Sequence, residues 1–221
     1  MSISDNIKKI YSEINSRNCK LIAVTKTKPP EDLMKAYDAG LRVFGENKVQ
    51  EMVDKYEKLP KDIQWHMIGH LQSNKVKYIA PFVHLIHSID SFKLLQEVNK
   101  QGAKINKIIP CLLQVFIATE ETKFGFSFDE VKILLKADEL KTLPFVEING
   151  LMGMASNTPD MAQVRKELRG LRSFFDELKG ESFSPNVKIK ELSMGMSGDY
   201  LIAIEEGSTL IRVGSAIFGA R

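Results

Sequence analysis

Short apolar runs rich in β-branched residues recur along the chain, and most are separated by segments with helical periodicity and mixed charge. This alternation is typical of parallel βα units. It predicts eight strands, at Leu21 to Thr25, Arg42 to Phe44, Trp65 to Ile68, Leu85 to Ser88, Ile109 to Val115, Glu147 to Met152, Lys190 to Ser193 and Leu210 to Val213. Eight strands with intervening helices favour an α/β fold built as a single (β/α)8 barrel of the TIM type.

A doubly wound open sheet is the alternative for such a pattern. That fold more often has roughly five to seven strands and a glycine-rich first turn, and no such turn follows Thr25. No repeat, linker or low-complexity stretch divides the chain, so we expect one domain over residues 1–221. The most loop-like segment, 180–185, is expected to connect a helix to a strand within the barrel.

Helix boundaries are also readable. Pro29, Pro30 and two acidic residues open one predicted helix, and Gly40 ends it. Ser127 and Glu130 have the spacing of a capping box.

Composition excludes several classes of protein. Hydrophobic residues make up 43% and charged residues 27% of the chain, and the net charge is only +3, without a polybasic tract for nucleic acid or membrane binding. Two cysteines provide neither a disulfide framework nor zinc-ligand spacing, and His84 and His87 have no partners that would complete a metal site. The start lacks the apolar core of a signal peptide, and no stretch has membrane-spanning length. We therefore expect a cytoplasmic protein without a metal.

Polar and small residues follow nearly every predicted strand. Because the carboxyl ends of all strands meet at one face of a parallel barrel, these residues are expected to share one pocket. The clusters are Thr25 to Lys28, Gly45 to Asn47, Gly69 to His70, Gly153 to Ser156, Ser193 to Ser197, and Gly214 to Ser215.

Lys26 is the candidate nucleophile, because a lysine amine at a barrel mouth can form a Schiff base with a carbonyl. The competing interpretation is a strand-end lysine that extends to solvent, and it applies more strongly to Lys28.

The segment from Ser193 to Asp199 combines a strand end, glycines and hydroxyls, which is typical of anion binding. The next strand ends in Arg212, Val213, Gly214 and Ser215, and loops after strands seven and eight commonly hold phosphate in this fold. Strand alternation directs Arg212 into the barrel and Val213 outward. A structural ion pair is the alternative role for Arg212. His70 is either a general base or a packing residue.

The sequence resembles the pyridoxal phosphate homeostasis proteins, which are similar to the barrel domain of bacterial alanine racemase. The resemblance covers nearly the whole chain, and several independent motifs occur in the same order. They are LIAVTKTKP (21–29), FGENKVQE (44–51), WHMIGHLQSNK (65–75), GLMGMA (150–155), LSMGMS (192–197) and RVGSAIFGAR (212–221).

The resemblance implies a role for each candidate residue toward pyridoxal 5′-phosphate. Lys26 would bind the cofactor covalently as an internal aldimine, and Arg212 would face the pyridine nitrogen. The phosphate would be held by Ser193, by the backbone near Met194, Gly195 and Ser197, and by Gly214 and Ser215. Asn47 and His70 would line the rim of the pocket, and Met152 or its neighbours would flank the ring. The sequence departs from the family pattern at Thr25, Lys48 and Phe116, where serine, tyrosine and asparagine are common.

An arginine beside the pyridine nitrogen weakens the cofactor as an electron sink, because arginine stays protonated. Alanine racemase, by the resemblance, takes a second base from a further domain, for which the chain leaves no room after Arg221. We therefore expect a non-enzymatic, monomeric carrier or buffer that serves intracellular vitamin B6 homeostasis and passes its cofactor to apoenzymes. The alternatives are a racemase-like enzyme with His70 as its other base, and an aldolase-like barrel that uses Lys26 without this cofactor.

Overall fold

The computed structural model describes residues 2–14, 18–118 and 124–219. Ala220 and Arg221, the last two residues of the RVGSAIFGAR stretch, lie outside these ranges. Eight parallel strands of the described chain form a closed barrel in sequence order, in which the first strand pairs with both the second and the last. The strands are β1 (Lys20–Val24), β2 (Val43–Glu46), β3 (Gln64–Met67), β4 (Val83–Ile89), β5 (Ile109–Val115), β6 (Val146–Gly153), β7 (Val187–Met196) and β8 (Leu210–Val213). The predicted TIM-type barrel is confirmed.

Helices connect the strands on the outside of this barrel. They are α1 (Ile3–Ile14), α2 (Pro30–Asp38), α3 (Val49–Lys58), α4 (Val76–Ile79), α5 (Phe92–Lys104), α6 (Phe128–Lys136), α7 (Met161–Lys179), α8 (Tyr200–Glu205) and α9 (Ser215–Phe218), with 3-10 turns at Ser73–Lys75 and Asp138–Thr142. None of the described helices is both long and apolar enough to cross a membrane.

The predicted helix signals appear in the structure. Pro30 occupies the first turn of α2, and Gly40 follows its end with a φ of +97° that suits glycine. Ser127 and Glu130 form the complete capping box of α6. Segment 180–185 lies between α7 and β7, as predicted.

Several strands extend beyond their predicted bounds, and β7 and β4 extend furthest. β7 begins at Val187 rather than Lys190, and Lys188 on this extension and Lys190 at the predicted start form ion pairs with Glu147 of β6. An analysis based on apolar runs misses this strand start, because its charged side chains are stabilised by ion pairs with the neighbouring strand. β4 likewise extends in both directions, to Val83 and Ile89.

The hydrophobic core has two parts. A large cluster lies between the strands and the helices, and a small one inside the barrel consists of Ile22, Leu85, Leu112, Met152 and Leu210. Side chains alternate along β8, so Leu210 and Arg212 point into the barrel and Val213 points outward into the large cluster. Arg212 therefore lies above the small apolar cluster, near the carboxyl ends of the strands.

Candidate functional site

A cavity of about 350 Å³ opens at the carboxyl ends of the strands. The structure brings six of the residues predicted from the sequence to its wall, namely Lys26, Asn47, Ser197, Arg212, Gly214 and Ser215. The remaining lining residues are Val24, Lys28, Ile68, Met154, Met196, Gly198 and Gly219. The wall thus combines two amines, a guanidinium, hydroxyls and a mostly apolar side.

The turn that carries Lys26 is fixed from behind by a charged network. Lys55 of α3 donates from Nζ to the Thr25 carbonyl, to Glu46 Oε1 and to Glu51 Oε1, each at 2.7 Å. Glu51 Oε1 also accepts from the backbone N–H of Thr27 at 2.6 Å. Because both backbone neighbours of Lys26 are held, its half-buried side chain leaves the turn in a defined direction.

The Glu46–Lys55 ion pair is buried, with exposed fractions of 0% and 5%. Burial raises the pKa of Glu46, and the hydrogen bonds from Lys55 and Thr25 oppose that rise. The Thr25 hydroxyl donates to Glu46 Oε1 at 2.5 Å. Thr25, one of the three departures from the family pattern, therefore serves this network through its hydroxyl.

Arg212 is held rigidly at the cavity floor. Its Nη1 donates to Ser193 Oγ at 2.6 Å, and its Nη2 donates to the Gly153 carbonyl at 2.9 Å. Burial lowers the pKa of Arg212 to about 10, and Asp199 opposes this shift. The guanidinium therefore stays protonated at neutral pH. An ion pair was the alternative role for Arg212, but its hydrogen bonds in the structure go to a hydroxyl and a carbonyl.

The loops after β7 and β8 meet at one side of the cavity. Ser197 Oγ accepts from the backbone N–H of Gly214 at 3.0 Å and from that of Ala216 at 3.5 Å. Asp199 Oδ1 accepts from the Met196 N–H at 2.5 Å. Backbone N–H groups, hydroxyls and the start of α9 thus converge beside Arg212, which is the composition expected of a phosphate site.

Five predicted site residues do not line this cavity. His70 is exposed, its Nδ1 lies 3.1 Å from Asp90 Oδ2, and it is not among the residues that line the cavity. Met152 is fully buried in the small apolar cluster inside the barrel, and its neighbour Met154 lines the cavity. Because β6 continues to Gly153, Met152 lies below the rim, and of the pair it is Met154 that reaches the cavity.

The other three predicted site residues that do not line the cavity lie on β7, below its rim; they are Ser193, Met194 and Gly195. Ser193 is fully buried and bonded to Arg212, and Met194 packs in the outer core. Gly195 has a φ of +94°, and a Cβ there would lie 2.4 Å from that of Ala203. Gly195 therefore allows α8 to pack closely on β7. The strand reaches Met196, so these residues precede the loop that was predicted to bind phosphate.

Neither of the two remaining departures from the family pattern touches the cavity. Lys48 is an exposed residue preceding α3, and Phe116 is 38% exposed just after β5.

Sequence reasoning also missed some residues. Val24, Ile68 and Gly219 line the wall without any polar signal. Lys55 could have been suspected only from its i,i+4 spacing to Glu51, which is common on exposed helix surfaces.

Comparisons with known proteins show what this chain is similar to. The family model described as alanine racemase, N-terminal domain, matches residues 1–221. A pyridoxal phosphate homeostasis protein of Aquifex aeolicus is 44% identical over 92% of this chain and 88% of its own. Another from Pasteurella multocida is 40% identical over 91% and 86%.

Solved structures extend the comparison. PipY of Synechococcus elongatus with pyridoxal phosphate bound has a TM-score of 0.87 and 33% identity, covering 99% of this chain and 100% of that one. Alanine racemase from Bartonella henselae with covalently bound pyridoxal phosphate has a TM-score of 0.76 at 17% identity, and the match covers 99% of this chain and 58% of the racemase. The racemase likeness is one of fold.

Proposed function

This chain belongs to the family of pyridoxal phosphate homeostasis proteins, and we propose that it is a single domain over residues 1–221 that holds pyridoxal 5′-phosphate as a Schiff base on Lys26. Its role would be that of a carrier or buffer in vitamin B6 homeostasis. The observation that carries the proposal is the convergence of Lys26, Arg212 and the Ser197 loop on one cavity. The bound cofactor in the related PipY structure supports it.

The residues present fit this cofactor. The cavity volume of about 350 Å³ is within the range of small-molecule pockets. Asn47 Oδ1 is buried at the wall and has no hydrogen-bond partner among the described residues, so it offers an acceptor to a ligand hydroxyl. The hydroxyls of Ser197 and Ser215 supply donors for a phosphate, and Met154 and Ile68 supply an apolar side for a ring.

When bound, pyridoxal phosphate supplies an aldehyde that reacts with an amine and a ring that can accept electrons. Lys26 provides the amine, and its turn is held by Lys55 and Glu51. Arg212 provides a protonated donor with two fixed hydrogen bonds, aimed from the cavity floor. A donor that keeps its proton limits electron withdrawal through the ring nitrogen, which favours storage of the cofactor over carbanion chemistry.

The racemase alternative needs a second base that reaches a substrate opposite Lys26. His70, the candidate for that role, is outside the cavity wall and bonded to Asp90. This position supports the non-catalytic proposal. Lys28 lines the cavity, but its Nζ donates to the Phe218 and Gly219 carbonyls at 3.3 Å.

The proposal includes a monomeric protein in the cytoplasm that delivers cofactor to pyridoxal phosphate-dependent apoenzymes. Both cysteines, Cys19 and Cys111, are free thiols, which fits a reducing compartment.

The test is a titration of purified protein with pyridoxal phosphate, followed by incubation with a pyridoxal phosphate-dependent apoenzyme and, separately, with L-alanine. We expect Schiff-base absorbance, recovery of apoenzyme activity and no D-alanine. Sustained racemisation would replace the carrier role with the enzymatic alternative. Absence of absorbance would favour the aldolase-like barrel.

A further inference from the structure

A row of hydrogen-bonded polar side chains crosses the interior of the barrel. It begins at Arg212, whose Nη1 donates to Ser193 Oγ at 2.6 Å. Ser193 Oγ lies 2.9 Å from His87 Nδ1, and His87 Nε2 lies 2.9 Å from His66 Nδ1. Ser193 and His87 are fully buried, and His66 is 4% exposed. The four side chains therefore form one continuous path through a packed core.

The row joins the two ends of the barrel. Arg212 lines the cavity at the carboxyl ends of the strands, whereas His66 lines a second cavity of about 280 Å³ at their amino ends. His66 Nε2 has no hydrogen-bond partner among the described residues. The lower cavity is lined by polar side chains that include Gln64 and Asn149. The row therefore ends, among the described residues, at a buried nitrogen of a residue that borders a polar cavity remote from Lys26.

The partners determine which nitrogen of each histidine carries the proton. Burial lowers the pKa of His66 to about 3 and that of His87 well below its ordinary value, so both rings are neutral at neutral pH. Arg212 can only donate, so Ser193 Oγ accepts from it, and the arrangement that gives the Ser193 hydroxyl proton an acceptor in the row has Ser193 donating to His87 Nδ1. His87 then carries its proton on Nε2 and donates to His66 Nδ1, which leaves the His66 proton on Nε2.

All donors in the row therefore point the same way, from Arg212 toward the lower cavity. This polarity matters for Ser193, because with a proton on His87 Nδ1 the hydroxyl oxygen would accept from both Arg212 and His87, and the hydroxyl proton would have no acceptor in the row. The orientation of the Ser193 hydroxyl, which accepts from Arg212 Nη1, thus depends on His87, a residue that does not line the cavity. The second guanidinium bond, to the Gly153 carbonyl, does not involve the row.

We propose that His87 and His66 are positioning residues of the cofactor cavity, which act through Ser193 to fix the orientation of Arg212. The identity of the ligand that Arg212 meets rests on the proposed function. The row itself rests on the geometry alone. Loss of one hydrogen bond to a charged group corresponds to about a tenfold loss of affinity when that group contacts the ligand.

The test compares His87→Leu, which removes the acceptor for Ser193, with His87→Asn, whose side-chain oxygen can replace Nδ1. Binding of pyridoxal phosphate should weaken about tenfold in His87→Leu and stay within about threefold of wild type in His87→Asn. His84→Leu is the matched control, because His84 is exposed, lines the lower cavity and stacks on His66 outside the row. Equal weakening by both His87 variants, or none by either, would overturn the proposal.

A double-variant cycle tests the route through Arg212. In an Arg212→Met background, His87→Leu should have no further effect on affinity, whereas an undiminished tenfold loss would contradict action through Arg212.

A measurement that needs neither a variant nor the cofactor is nitrogen NMR of histidine-labelled wild-type protein at neutral pH. Both His66 and His87 should be neutral with the proton on Nε2, and a proton on Nδ1 of either would overturn the row. This result stands even where wild-type protein shows no Schiff base, so failure of the proposed function and failure of the row are separable.

Discussion

Replacement of Lys55 by methionine should destabilise the protein strongly, because it leaves the Glu46 carboxylate buried without its cation. Lys55 also donates to Glu51 and to the Thr25 carbonyl, so three hydrogen bonds of 2.7 Å are lost together. Removing one partner of a buried ion pair costs about 3–5 kcal/mol in free energy of unfolding. For a chain of this size the melting temperature should fall by roughly 6–20 °C.

The loss should depend on pH in a defined direction. Burial raises the pKa of Glu46 in the folded protein, and without Lys55 that pKa rises further. A carboxyl group with a raised folded pKa binds more protons folded than unfolded, so stability falls as pH rises from about 4.5 through the folded value. The destabilisation of Lys55→Met should thus be larger at roughly pH 8 than at roughly pH 5.5.

Urea unfolding at both pH values measures this effect. Lys58→Met is the matched control, since Lys58 is exposed on the same helix, and adding Glu46→Gln to Lys55→Met should recover more than half of the loss. A Lys55→Met variant within about 1 kcal/mol of wild type at the higher pH would refute the reasoning.

Two further predictions concern the site and its support. Arg212→Met should weaken pyridoxal phosphate binding by about tenfold or more while circular dichroism stays unchanged; unaltered affinity by absorbance titration would remove Arg212 from the site. Gly195→Ala should cost about 2–4 kcal/mol in chemical unfolding, because of its positive φ and the 2.4 Å approach to Ala203. Gly170→Ala, with no atom within 4 Å of the added Cβ, is the control and should be neutral or slightly stabilising.

The barrel was predictable because most strands contain an apolar run and most connections between them have helical periodicity. The cavity residues at strand ends, such as Lys26 and Gly214, were predictable for the same reason, since all carboxyl ends of parallel strands share a face. The sequence does not show, however, how far below the barrel rim a residue near a strand end lies. Ser193 and Met152 were assigned to the wall, but their strands run on to Met196 and Gly153.

Interactions between side chains that are far apart along the chain could not be predicted from the sequence. The register between β7 and β8 shifts between Ser193 and Met196, which changes the partners that each side chain meets. The row through His66 and His87 connects residues 21 positions apart to one 106 positions further along. A lone histidine on a strand carries no mark of such a partner until the barrel closes.

The most direct test of the central claim is borohydride reduction of the protein with bound pyridoxal phosphate, followed by peptide mapping. The account predicts a single reduced adduct on Lys26, absent from Lys26→Ala and retained in Lys28→Ala, the matched control on the same cavity wall. A label on Lys28 in the wild-type protein, or no label at all, would contradict it.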